Sequence, residues 1–141
     1  MGINFKYVDH SDQVLRSFNT NVEAALEAIG NQAVSHAKQT ITSESRVDTG
    51  ALRNSVSHQV NQSEKAVYIG TNQSYAIYNE YGTGIYAEGG GGRKTPWFYV
   101  DAHGEGHWTH GMKAIHFIKN ACANHVEEYK AILQKFMSRV K

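Results

Sequence analysis

Asp48-Thr49-Gly50-Ala51-Leu52-Arg53-Asn54-Ser55-Val56, followed one hairpin later by Tyr75-Ala76-Ile77-Tyr78-Asn79-Glu80-Tyr81-Gly82-Thr83, is the stretch that decides how this chain reads. The first segment predicts a loop capped by Asp48 or Thr49, a short helical turn carrying Leu52, and then a strand. The second predicts an aromatic turn stopped by Gly82, where a glycine ends the helical run. Tyrosines bracketing a single carboxylate can line an enzyme pocket. They more often form a packing corner or a protein-contact surface, because a tyrosine offers apolar area with one polar tip.

Working outward, Val56–Val60 and Ala66–Gly70 predict a hairpin across Asn61-Gln62-Ser63-Glu64. Thr95–Asp101 and His107–Thr109 predict a second hairpin, turning through His103-Gly104-Glu105-Gly106. Ahead of both, Leu15, Phe18, Val22, Leu26, Ile29, Ala33, Ala37 and Ile41 recur at spacings of three or four. They predict one amphipathic helix capped by Ser11 or Asp12, about 45 Å long at helical rise. Gly30 lowers its intrinsic propensity, so packing has to hold it, and its length predicts an overhang toward a neighbouring subunit. A short strand is predicted over Ile3–Val8. At the other end Ile115, Ile118, Cys122, Val126, Tyr129, Ile132, Phe136 and Val140 predict a second amphipathic helix running to the terminus. The expected fold is α+β: a small antiparallel sheet of two hairpins flanked by long N-terminal and C-terminal helices, in one domain over 1–141. A flexible glycine-rich loop is expected over 83–95.

The length of 141 residues, 40% hydrophobic and 19% charged, suits a single domain with a real core. The single cysteine, Cys122, excludes an internal disulfide and is expected to be a small buried hydrophobe rather than a nucleophile. Met1–Lys6 has no long apolar core, so no signal peptide is expected, and no apolar run approaches the roughly 20 residues of a membrane span. Tyr7 stands where a myristoylation signal wants Ser or Thr. The expected setting is a reducing cytoplasm, left only by lysis. The net charge of +1 hides a gradient: residues 113–141 carry six Lys/Arg against two Asp/Glu. A solvated helix with lysines near its C-terminus accounts for this, since cations suit that end of the dipole. A nucleic-acid-binding module on this helix is a rival reading, weakened by the spread of the charges and the lack of interleaved aromatic groups.

Enzymatic chemistry fares poorly. The glycine run before Lys94-Thr95 fails as a phosphate loop, because Glu88 stands where the first glycine belongs and a strand follows instead of a helix. His103, His107, His110 and His116 near Asp101 and Glu105 suggest a zinc or manganese hydrolase, but they straddle a hairpin rather than converge. There is no Gly-x-Ser-x-Gly elbow, and Ser57 and His58 point to opposite faces of their strand. Glu80 lacks a second acid. It is expected to cap backbone amides or to pair with Arg53. No catalytic residue, cofactor site or metal site is expected.

The motifs Asp48-Thr49-Gly50-x-Leu52-Arg53-x-Ser55 and Tyr75-Ala76-x-Tyr78-x-Glu80-Tyr81-Gly82-Thr83 resemble the gene-product-ten-like tail-component family of siphophages. The resemblance continues through Gly84 and the glycine loop, Thr95-Pro96-Trp97-x-Tyr99-Val100-Asp101, and His107-Trp108-Thr109-x-Gly111-Met112-Lys113, covering about residues 11–135. One departure stands out. Where relatives carry Lys-Pro-x-Pro-Phe-Leu, this chain has Lys113-Ala114-Ile115-His116-Phe117-Ile118, so a more continuous entry into the last helix is expected. The resemblance implies a non-enzymatic virion protein of the head–tail neck, similar in role to the minor tail protein Z of lambda. Such a protein completes the tail for joining to DNA-filled heads. It implies sixfold rings around the DNA channel, and as partners the tail tube or terminator, head-completion or connector proteins and the genomic DNA, with no membrane. It also implies subunit contact through the motif residues together with Trp97 and Trp108. A tail-terminator ring is the alternative within the same class.

Overall fold

The computed structural model describes residues 8–141, so the strand predicted over Ile3–Val8 lies, but for Val8, outside the described residues. Helix α1 (Ser11–Ser43) is the spine. Neither predicted cap starts it: the capping position is His10, and Asp9 Oδ1, two residues before Ser11, accepts the Ser11 amide at 2.8 Å. Its buried positions are Val22, Ala25, Gly30, Ala33, Ala37 and Ile41, whereas Leu15 is exposed. Most of these are small residues, and small residues let neighbours approach from two sides. On one side lies the hairpin of β1 (Ser57–Asn61) and β2 (Ala66–Gly70), antiparallel with Val60 opposite Val67. His58 of β1 crosses so near Gly30 that a Cβ there would lie 2.4 Å from the imidazole. The glycine that weakens α1 in isolation is what admits the hairpin. The crossing is fastened along the helix by Glu27 to His58 at 2.7 Å, Gln62 to Glu23 at 2.9 Å and Lys65 to Asn19 at 3.1 Å.

On the other side of α1 lie α4 (Phe117–Ala123) and α5 (Val126–Met137). The predicted continuous last helix is therefore two helices. They break at Asn124 and His125, where the Tyr129 hydroxyl donates to the Ala121 carbonyl that the His125 amide would take in an unbroken helix. Burial pushes that hydroxyl up to about 12. The α5 helix runs back along α1, with Glu128 against His36 near its start and the Lys141 amide donating to Ser17 at its end. The overhang of α1 is thus confined to its first turns. Cys122 lies at the surface of α4, not in the core as expected, because the buried face of that short helix is taken by Phe117 and Ala121. Partial desolvation, and then Glu80, still push its thiol above the ordinary value.

The core forms where α1 ends. Ala37, Ile41, Leu52 of α2 (Ala51–Ser55), Val56, Ala76 of α3 (Ala76–Tyr81), Ile115, Phe117 and Ala121 pack together, with Phe117 fully buried. Glu80 is the charged residue in this interior, at 7% exposure. Its Oε2 and Oε1 accept the Ile118 and Lys119 amides at 2.8 and 2.9 Å, two donors that the first turn of α4 leaves unpaired. Of the two roles expected for Glu80, amide capping is the one that forms; Arg53 instead reaches Thr42 Oγ1. The same cap explains why losing the prolines of the family pattern does not lengthen the last helix. The Ile115 amide is held on the Asn79 carbonyl at 2.9 Å, His116 turns left-handed at φ 47°, and α4 begins only at Phe117.

Beyond α3 the chain is clasped to residues 110–112. The Thr83 amide donates to Met112 O at 2.8 Å, the Met112 amide to Thr83 Oγ1 at 2.9 Å, and the Ile85 amide to His110 O at 3.0 Å. Gly84, at φ 62°, lies so close that a Cβ would fall 1.9 Å from His110 O. The glycine-rich segment then makes two short 3-10 turns, Gly84–Tyr86 and Glu88–Gly90. Strands β3 (Trp97–Val100) and β4 (Gly106–Thr109) form the second hairpin. It is a separate two-stranded sheet rather than part of one sheet with β1 and β2. The first hairpin is oriented by α1. The second is carried by the 82–84 clasp, well away from it in the chain.

Two substitutions test this account. Glu80→Ala leaves two helix-terminal amides buried without an acceptor and is expected to lower unfolding stability by about 2–3 kcal/mol, with Glu80→Gln losing less. Urea midpoints measure both. Gly84→Ala meets a backbone oxygen at a positive φ and is expected to cost about 2–4 kcal/mol, read the same way.

Candidate functional site

The second hairpin is the surface that the fold leaves unfinished. Its register places Phe98 opposite Trp108 and Val100 opposite Gly106, so Phe98, Val100 and Trp108 share one face. They are 55%, 59% and 73% exposed. Phe98 packs edge-on against Trp108 at 5.8 Å between centroids and lies over Gly106, where any Cβ would strike its ring. The opposite face carries Trp97, Tyr99 and His107, with Tyr99 against His107 at 5.3 Å. Neither strand makes substantial contact with another element among the described residues. A two-stranded ribbon with apolar groups on both faces is marginal by itself in water.

The hairpin's turn is nonetheless well built. Asp101 Oδ1 accepts the His103 and Glu105 amides, each at 2.9 Å, and Oδ2 lies 2.8 Å from His107 Nε2. The hydrogen bond to His107, reinforced by the Glu105 amide, holds the Asp101 carboxyl below its ordinary value. A carboxyl lowered on folding stabilises the turn above its ordinary value and releases it as pH falls through the depressed one. The four histidines of this region do not converge. His103 pairs with Asp48 at 3.0 Å, His107 with Asp101, and His116 with Glu88, while the His110 carbonyl is engaged by the clasp. Asp101, Glu105 and His107 do come within ligand range of one another, but both Asp101 oxygens already serve the turn.

The motif residues divide into supports and displayed groups. Leu52, Glu80, Gly82 and Gly84 are buried within the protomer. Gly50 turns left-handed ahead of α2, Thr49 Oγ1 accepts the Ala51 amide, Ser55 bonds the Leu52 carbonyl and Thr71, and Thr83 makes the clasp. Asp48, Thr49, Gly50, Leu52, Arg53 and Tyr75 all line one cleft of about 280 Å³ together with Arg46. Arg46 donates to Lys113 O at 2.8 Å, and burial pulls its guanidinium below the ordinary value. The displayed groups are Tyr75, Tyr78 and Tyr81, joined by Ile77, on the outer side of α3. Tyr78, Thr83 and Gly84 also border a second cleft of about 430 Å³ with Arg93 and Trp97, whose guanidinium and indole lie 5.7 Å apart. An aromatic and cationic cleft of this kind suits a protein side chain at an interface.

One cluster escaped the sequence reading. His36 of α1 meets His125 and Glu128 at the start of α5, across 92 positions. The His125/Glu128 spacing of three on a helix was the available signal, but its third member lies on another helix.

No match was found among curated proteins or among solved structures. Residues 11–82 match the family model described as "Bacteriophage HK97-gp10, putative tail-component". The matched region contains α1, α2, the first hairpin and α3, and closes on Gly82 at the C-terminus of α3. The chain therefore belongs to the HK97-gp10-like family of phage tail components.

Proposed function

We propose that this tail component is a non-enzymatic structural subunit at the head–tail neck of a long-tailed phage, completing the tail so that it can join a DNA-filled head. It works as a ring of identical subunits around the DNA channel. Its partners are the tail tube or its terminator on one side and head-completion or connector proteins on the other. The observation that carries this reading is the uncovered hairpin: Phe98, Val100 and Trp108 form an apolar face that the protomer itself leaves in water. Subunit burial of such a face supplies association energy in proportion to its apolar area. Tyr75, Tyr78, Tyr81 and the cleft at Arg93 and Trp97 extend the contact surface.

The alternative roles find weaker support. The α5 cations are scattered, with Lys130 3.5 Å from Glu127 and Arg139 folded over Phe136 at 4.6 Å, which leaves no continuous basic stripe for DNA. The burial of Glu80 under α4 commits the carboxylate among the tyrosines to structure. A terminator ring would use the same contact surface and differs in the particle that accumulates without it.

Trp108→Ser combined with Tyr78→Ser removes two displayed aromatics from positions that carry no core packing. The double variant is expected to keep its thermal unfolding midpoint within about 2 °C. Phage supplied only with this variant are expected to lose at least about 100-fold in infectious titre, with electron micrographs showing full heads beside separate tails of normal length. Tails of uncontrolled length would instead support the terminator role. Normal joined particles in the complete absence of the protein would refute both.

A further inference from the structure

We propose that His36, His125 and Glu128 form a binding site for a divalent transition-metal ion, zinc above all, that staples α5 to α1. His36 Nε2 lies 2.8 Å from Glu128 Oε2, and His125 Nδ1 lies 3.6 Å from the same oxygen. The three donor atoms fall within 4.8 Å of one another, close enough for one ion to replace the hydrogen bond that joins them now. The two imidazoles are stacked with their planes 5° apart and centroids at 3.4 Å, so binding an ion tilts the rings to bring both in-plane lone pairs onto it. Two imidazole nitrogens and one carboxylate oxygen suit zinc, cobalt or nickel, and not magnesium or calcium, which require oxygen ligands throughout.

The surroundings fit this use. Glu128 stands in the first turn of α5, where the helix dipole favours a carboxylate, and among the described residues its side-chain hydrogen bond goes to His36 rather than to backbone. Side-chain exposures of 14%, 34% and 36% for His36, His125 and Glu128 leave the cluster open on one side, enough for an ion to enter with water as its fourth ligand. The Tyr129 ring, with its hydroxyl held on the Ala121 carbonyl, lies 6.4 and 6.3 Å from the two imidazoles and restrains them. No residue of α5 is fully buried, so that helix depends on half-buried contacts and on this cluster for its place along α1. A structural ion clipping a helix to its neighbour stabilises by mass action, since the unfolded chain leaves His36 far from His125 and Glu128.

The test uses the full chain, first freed of metal with a chelator. Zinc at about 100-fold excess over its dissociation constant is expected to raise the unfolding midpoint by about 5–10 °C, and magnesium at the same concentration to leave it unchanged. Cobalt is expected to give visible absorption of four-coordinate intensity that zinc abolishes. His36→Gln, His125→Gln and Glu128→Gln each keep the residue's bulk and are expected to weaken binding at least about tenfold. His103→Gln, on the exposed hairpin turn, is expected to bind as the parent does. A parent protein whose midpoint ignores zinc overturns the site. So does an equal zinc response in the His36 and His125 variants, because the ion would then sit on other histidines.

Discussion

A carboxylate buried beneath a helix start holds this protein in its working shape. Glu80 leaves α3 pointing inward and meets the first amides of α4, so two short helices are joined by a charge-assisted pair of hydrogen bonds beside their apolar packing. Burying a carboxylate is unfavourable unless its oxygens are satisfied, and here the α4 dipole and two amides satisfy them. The consequence reaches the surface. With Glu80 and Ala76 turned inward, the 3.6-residue period of α3 turns Ile77, Tyr78 and Tyr81 outward. Gly82 and Gly84 then drop the chain onto residues 110–112, fixing the base from which the second hairpin projects.

Where a contact was local, the sequence carried it. The α1 stripe, the turn after Asn61 and the stop at Gly82 were legible because periodicity and turn chemistry act over a few residues. What escaped depended on partners distant in the chain. Gly30 read as a weak point until His58, 28 positions on, was seen to pass over it. The last helix kept an unbroken apolar period through Asn124 and His125, yet it breaks because Tyr129 captures a carbonyl. The missing prolines before Phe117 suggested a longer helix, and Glu80 decided otherwise from across 38 residues. The tyrosines and tryptophans were legible as exposed candidates, but their division from the buried motif residues was not. Leu52, Glu80 and Gly84 hold the surface that Tyr78 and Trp108 present.

That division explains how one short chain meets two demands. In the proposed role a subunit must be stable alone and must still offer apolar surface. In this chain the two are kept apart: the core gathers at the C-terminal end of α1, and the aromatic display sits on α3 and the second hairpin. In that role, covering the display gains apolar burial without disturbing the core.

The clasp between Thr83 and Met112 is where the two parts meet. Its hydrogen bonds are backbone-centred, and its glycines exclude any side chain from the gap. A joint made this way transmits position with little slack, because close-packed backbone has no rotamers to absorb a displacement. In the proposed ring a neighbour's contact with Trp108 falls on the strand that leads directly into the clasp at residues 110–112. Among the described residues Trp108, the most exposed large hydrophobic, lies four positions before Met112 of the clasp, and Glu80, buried under α4, lies three before Thr83. The hairpin and the core are joined through backbone hydrogen bonds and three glycines, Gly82, Gly84 and Gly111, whose close approach leaves no room for a side chain.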